Sequence, residues 1–181
     1  MSNPINTPLA ATQAWLKSTV IAYNLCPFAG QTLARNRIRF VCQDDSALET
    51  CLLHLMDECE RLDSDDSIET TLLVYSTAFK DFEDYLDYLA YAEALLAEQG
   101  YVGIYQLASF HPDYCFEGST QDDPANYTNR SPYPMLHLLR EDSIAKVVAN
   151  FPQPENIPEQ NVALTRKLGL AKLRDLLAAC Y

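Results

Sequence analysis

The chain has 181 residues, 48% of them apolar and 21% charged, a globular composition at a length that suits a single domain over residues 1–181 with one core. With 25 acidic and 13 basic residues its formal net charge is −12, and a surface of that sign repels phosphate backbones and anionic headgroups, which argues against nucleic acid as a partner. No apolar run is long enough to span a bilayer, so no membrane partner is expected.

Met1 to Thr7 is polar and lacks the basic start and apolar stretch of a signal peptide. The six cysteines, at 26, 42, 51, 59, 115 and 180, are irregularly spaced and form no CxxC pair. Free thiols and a cytoplasmic location are the expectation.

In chain order, Thr7-Pro8 supplies a capping hydroxyl and a proline at the first helical position, and Leu9, Leu16, Val20 and Tyr23 continue at helical spacing. A helix from about 8 to 24 is predicted, ending before Pro27. Arg37 to Cys42 alternates as a strand. Ser46 with Glu49 reads as a capping box before a helix whose apolar stripe runs from Leu48 through Cys51, Leu55 and Cys59 to Leu62. Ile68 to Ser76 has the composition of a central strand. Phe82 to Leu96 forms a third helix closed by Gly100, and Tyr101 to Ser109 a third strand. Met135 to Leu139 is a fourth strand, Ile144 to Val148 lies in a short helix, and a last helix covers about 158 to 180 after a proline-rich linker. Helical crossovers between successive strands point to an α/β fold: a small, mixed but mostly parallel sheet of about four strands flanked by helices.

The segment from Gln106 to Arg140 concentrates the chemistry. It contains a loop of about 25 residues, and loops that long in a compact domain are usually functional or disordered. It leaves the carboxyl end of a core strand, where open α/β sheets place ligands. His111 can act as a general base, a metal ligand or a backbone-bonded structural residue. His137 lies in an apolar strand and is either a site residue or a satisfied core histidine. Arg130 offers a planar fork for a carboxylate or phosphate, or pairs internally with Asp122 or Asp123. That aspartate pair can orient a histidine, bind a divalent cation or cap a turn. Asn126 and Asn129 can donate to an oxyanion or cap turns, and Arg140 is a further anion-binding candidate or a structural cation. Arg35, Arg37 and Arg39 form a basic spot that either supplements an anion site or solvates a strand end. Cys26 follows a helix carboxyl end, where the dipole disfavours a thiolate; it is a nucleophile only if a histidine or arginine approaches it. GxGxxG, P-loop, GxSxG and HExxH motifs are absent.

Leu25-Cys26-Pro27-Phe28-Ala29, Thr70 to Val74, Gln106 with Ala108 to Pro112, and Asn126 through Glu141 (NYTNRSPYPMLHLLRE) together resemble the uncharacterised family known as domain of unknown function 1415. The resemblance covers nearly the whole chain. It implies a bacterial-type cytosolic protein with one domain per chain, but it does not imply any particular activity. Two functions are therefore carried forward. One is an enzyme acting on a small anionic metabolite, with Arg130 (aided by Asn126, Asn129, His137 and Arg140) holding the anion, His111 moving a proton, Asp122 or Asp123 orienting it and Cys26 as an optional nucleophile. The other is a non-catalytic metal- or ligand-binding module using the same loop. The residues specify no cofactor, no metal and no oligomeric state.

Overall fold

Every residue of Thr70–Tyr75 is buried, with Leu72 and Val74 on one face and Leu73 and Tyr75 on the other. A strand apolar on both faces must be covered on both faces, and this one, β2, is central. In the computed structural model, which describes residues 7–149 and 152–181, β1 (Ile38–Gln43), β2, β3 (Tyr105–Phe110) and β4 (Met135–Arg140) form an open sheet in the order β1-β2-β4-β3. The reading of Met1 to Thr7 lies, Thr7 apart, outside the described residues.

β1 and β2 pair in parallel, while β4 pairs antiparallel with β2 on one side and β3 on the other. The sheet is thus mixed, and the expectation of a mostly parallel sheet is corrected. β1, β2 and β3 do run in one direction, as helical crossovers require, but β4 returns from the long loop between β2 and β3 and keeps them from bonding.

One face packs on α3 (Leu48–Ser64) and α4 (Phe82–Glu98). Cys51, Leu55, Cys59 and Leu62 from α3 meet Tyr85, Tyr88, Ala92 and Leu96 from α4 over Leu73, Tyr75, Leu136 and Leu138. Glu58, buried on the same stripe, is neutralised by a two-pronged bond from Arg39 at 2.8 and 3.1 Å. The expected capping box does not form: α3 begins after Ala47, and Asp45 rather than Ser46 accepts a backbone N–H there, from Ala47 at 2.8 Å. Asp81 caps α4.

The other face packs on α1 (Pro8–Trp15), a π-helical segment (Leu16–Ile21), α6 (Ile157–Leu168) and α7 (Leu170–Ala178), through Trp15, Leu16, Val20, Leu164, Leu177 and Cys180. Thr7 caps α1 as expected. The predicted helix to residue 24 changes character at Leu16, where Ala22 and Leu25 bond five residues back, to Lys17 and Val20. The predicted last helix is likewise two helices, broken at Gly169, whose φ of 80° lies outside the helical region. Short α2 (Ala29–Ala34) and α5 (Glu141–Val148) complete this face.

Candidate functional site

On the second face the helices do not close over the sheet. The π segment, α2 and α5 surround a cavity of about 930 Å³, within the size range of small-molecule sites. The strand register sets its floor. Leu72, His137 and Ala108 form one cross-strand row, and Thr70, Leu139 and Gln106 form the next, nearer the rim. Trp15, Phe28 and Phe110 supply aromatic walls, Cys26 and Thr32 line the α2 side, and Ile144 and Val147 the α5 side. The rim lies at the amino ends of β1 and β2, opposite the end where the long loop sits.

Four cations (Arg35, Arg37, Arg140, Lys146) and three carboxylates (Asp66, Glu69, Asp142) line this cavity. In a chain with nearly twice as many acids as bases, that makes it locally basic. Arg37 pairs with Glu69 at 3.1 Å and bonds the Asp66 and Ser67 carbonyls. The Arg140 guanidinium is committed to the Leu62, Asp65 and Ile68 carbonyls, where α3 ends and β2 approaches. Exposed Arg35 differs: among the described residues none pairs with its guanidinium.

His137 sits mid-floor with its Nε2 buried and without a hydrogen-bond partner. Desolvation pushes its pKa down to about 4, so the ring is neutral at physiological pH. Thr19 Oγ1 and His54 Nδ1 are also unpartnered, but neither lines the cavity.

The long loop is organised differently. His111 is fully buried against Phe82 and Tyr85; its Nε2–H donates to the Phe79 carbonyl at 2.9 Å and its Nδ1 accepts from the Asp113 N–H at 3.0 Å. Those two bonds define a neutral tautomer, and burial lowers the pKa, outweighing the bond to Phe79, which raises it. Arg130 donates to the Tyr114 and Gln121 carbonyls and to Gln121 Oε1, with its guanidinium 4.8 Å from the Tyr127 ring centre. Fully buried Asn126 accepts from the Phe116 N–H and donates to the Thr120 carbonyl. Asn129 donates to the Ser109 carbonyl. Asp123 caps the short 3₁₀ turn Pro124–Thr128 and pairs with Arg166 at 2.8 Å, while Asp122 pairs with Arg174 at 2.8 Å. Arg130 therefore pairs with neither aspartate; two arginines of α6 and α7 take them instead.

Of the nine residues singled out in the sequence, Cys26, His137 and Arg140 line the cavity, and His111, Asp122, Asp123, Asn126, Asn129 and Arg130 do not. The α2 wall and the π segment had no clear sequence signal, although Arg35 was visible as part of a basic spot. Among the described residues no three His, Cys, Asp or Glu side chains group to hold a metal ion, and no helix is long and apolar enough to cross a membrane. No curated protein and no solved structure matches the chain. A family model described as "Protein of unknown function (DUF1415)" matches residues 7–175, all but the first six and last six positions, and the chain belongs to that family.

Proposed function

We propose that the protein binds a small anionic metabolite in the cavity over the second sheet face, and that the long loop serves as scaffold rather than as the binding surface. The observation that carries this reading is the unpaired Arg35 guanidinium at the rim of the locally basic cavity. An arginine with open donors is a ready carboxylate or phosphate contact. Arg130, the one arginine of the loop, and Arg166 and Arg174, which grip the loop from α6 and α7, by contrast already have acceptors. A metal-binding module using His111, Cys26 and the aspartates has no clustered ligand set to rest on in the described residues. A cytosolic location belongs to the same proposal and is supported by six free thiols.

Cys26 is a built-in reporter, because it lines the cavity, whereas half-buried Cys115 lies in the loop. Alkylation with iodoacetate and with neutral iodoacetamide, read by peptide mass spectrometry, compares the two thiols. The iodoacetate-to-iodoacetamide rate ratio at Cys26 is expected to exceed that at Cys115 about fivefold, the factor that ~1 kcal/mol of attraction supports. Arg35→Gln should remove the excess. Equal ratios at both thiols, or an excess that survives Arg35→Gln, refute anion binding at this cavity.

A further inference from the structure

We infer that His137 decides what the cavity accepts, and that the ligand is a planar aromatic carboxylic acid whose ring bears a hydroxyl group that bonds the His137 imidazole. The inference rests on the anion-binding reading above and adds the ligand's class and the residue that selects it.

A neutral imidazole carries one N–H and one lone pair, and both need partners when buried. The fold leaves Nε2 with none. Its cross-strand neighbours Leu72 and Ala108 have no polar side-chain atoms, and Phe110, with its ring centre 6.4 Å away, is aromatic. The strand is otherwise leucine-rich here, with Leu136, Leu138 and Leu139 around the histidine. A leucine at 137 would satisfy the packing and leave no orphaned polar atom, so the histidine costs stability in the unliganded protein. Nε2 itself has no accessible surface, but the ring lines the cavity and its other nitrogen, Nδ1, also lacks a hydrogen-bond partner among the described residues, so a ligand in the cavity can bond the imidazole there.

The surroundings restrict what that ligand looks like. Trp15, Phe28 and Phe110 give the space aromatic walls, which suit a flat ring, while Gln31, Thr32, Thr70, Gln106 and Ser143 supply polar groups elsewhere in the lining. The row of Ile38, Thr70 and Leu139 lies two residues from the His137 row toward the Arg35 end, about 7 Å at strand spacing. One ring separates an acid at the rim from a hydroxyl over the floor by a comparable length. The π segment contributes Leu16 and Val20 to the same cavity, and π-helical turns occur frequently at functional sites.

The test uses the near-isosteric pair 4-hydroxybenzoate and 4-methylbenzoate, titrated calorimetrically into the full chain. The wild type is expected to bind the hydroxyl compound at least about tenfold more tightly, because a site that hydrogen-bonds a hydroxyl rejects the analogue lacking it. His137→Leu should bind the two alike and melt several degrees higher, since the orphaned atom is gone. His137→Gln, which keeps a polar group, should restore part of the preference. The inference is overturned if the wild type binds the pair equally or binds neither at millimolar concentration, or if His137→Leu melts lower. Should the Cys26 reagent preference persist in that event, anion binding stands and only the role of His137 falls; should both fail, the cavity is not the site.

Discussion

His137 lies on the second face of the sheet and His111 just past the carboxyl end of β3, packed against α4, and in both burial disfavours the charged form. They differ in what surrounds their nitrogens. His111 has a backbone partner at each, at 2.9 and 3.0 Å. His137 has none at Nε2 and borders a cavity. Burial alone therefore does not separate a structural histidine from one available to a ligand; the state of its hydrogen bonds does. The same contrast extends to the arginines, with Arg130 enclosed by carbonyl acceptors and Arg35 open at a rim.

The largest effect that sharpens this contrast is His111→Leu. The change removes the side-chain partner of the Phe79 carbonyl and of the Asp113 N–H in a part-buried site, at a cost of about 1–3 kcal/mol. It also frees Phe79, whose φ of 57° places a bulky residue in the left-handed region, held there in part by that bond. Urea unfolding should show a lower midpoint at constant slope. Set beside the higher melting point expected of His137→Leu, the same substitution has opposite signs at the two histidines. If His111→Leu were neutral, the view of the loop as a hydrogen-bonded scaffold would be untenable.

A smaller effect concerns acid. The unfolded chain protonates a histidine near 6.5, whereas folded His137 does so only at about 4. Between those values the unfolded state binds a proton that the folded state refuses, so stability falls as pH drops from 6.5 toward 4. The contribution is at most about 3 kcal/mol, an upper bound because part of the ring faces the cavity rather than packed protein. His111 is shifted in the same direction and adds to the slope. Urea midpoints at pH 7 and 4.5 should differ less for His137→Leu than for the wild type. An unchanged difference would mean that His137 is not held neutral by its surroundings.

The strands and the longer helices were legible because their signals are local: the α3 stripe, the Thr7-Pro8 cap, and the apolar run at β2; short α2, the π segment and the break at Gly169 were not. Sheet order was not, since nothing in Met135–Arg140 says that it inserts between β2 and β3 instead of joining an edge. The site was misplaced for a related reason. A strand exit followed by a long polar loop is a sound pointer to function when the strands are parallel neighbours. Here an antiparallel strand separates β2 from β3, so that end offers no crevice between parallel strands, and the loop's polar groups bond one another. Asn126, Asn129 and Arg130 are the residue types that bind ligands and equally the types that fix an irregular backbone, and composition cannot distinguish the two uses. His137 and Cys26 were legible as candidates, but only the register and the turn after the π segment bring them to one cavity.

The smallest expected effect tests whether the two regions are independent. Arg166 of α6 holds the loop through Asp123 with bonds of 2.8 and 3.2 Å, and together with the capped Ala125 N–H it lowers the Asp123 pKa to about 2. A carboxylate with a depressed folded pKa stabilises above its unfolded value near 3.8, and that contribution is lost as pH falls from there toward 2. Arg166→Ala should therefore move the acid-unfolding midpoint upward by a few tenths of a pH unit, because exposed ion pairs contribute little. It should leave the Cys26 reagent preference unchanged, since Arg166 lies outside the cavity lining. A variant that shifted both would show that α6, which packs against both the loop's 3₁₀ turn and the second-face core, transmits loop order to the cavity. The scaffold and the binding surface would then be one cooperative unit, and the contrast between the two histidines would describe its halves.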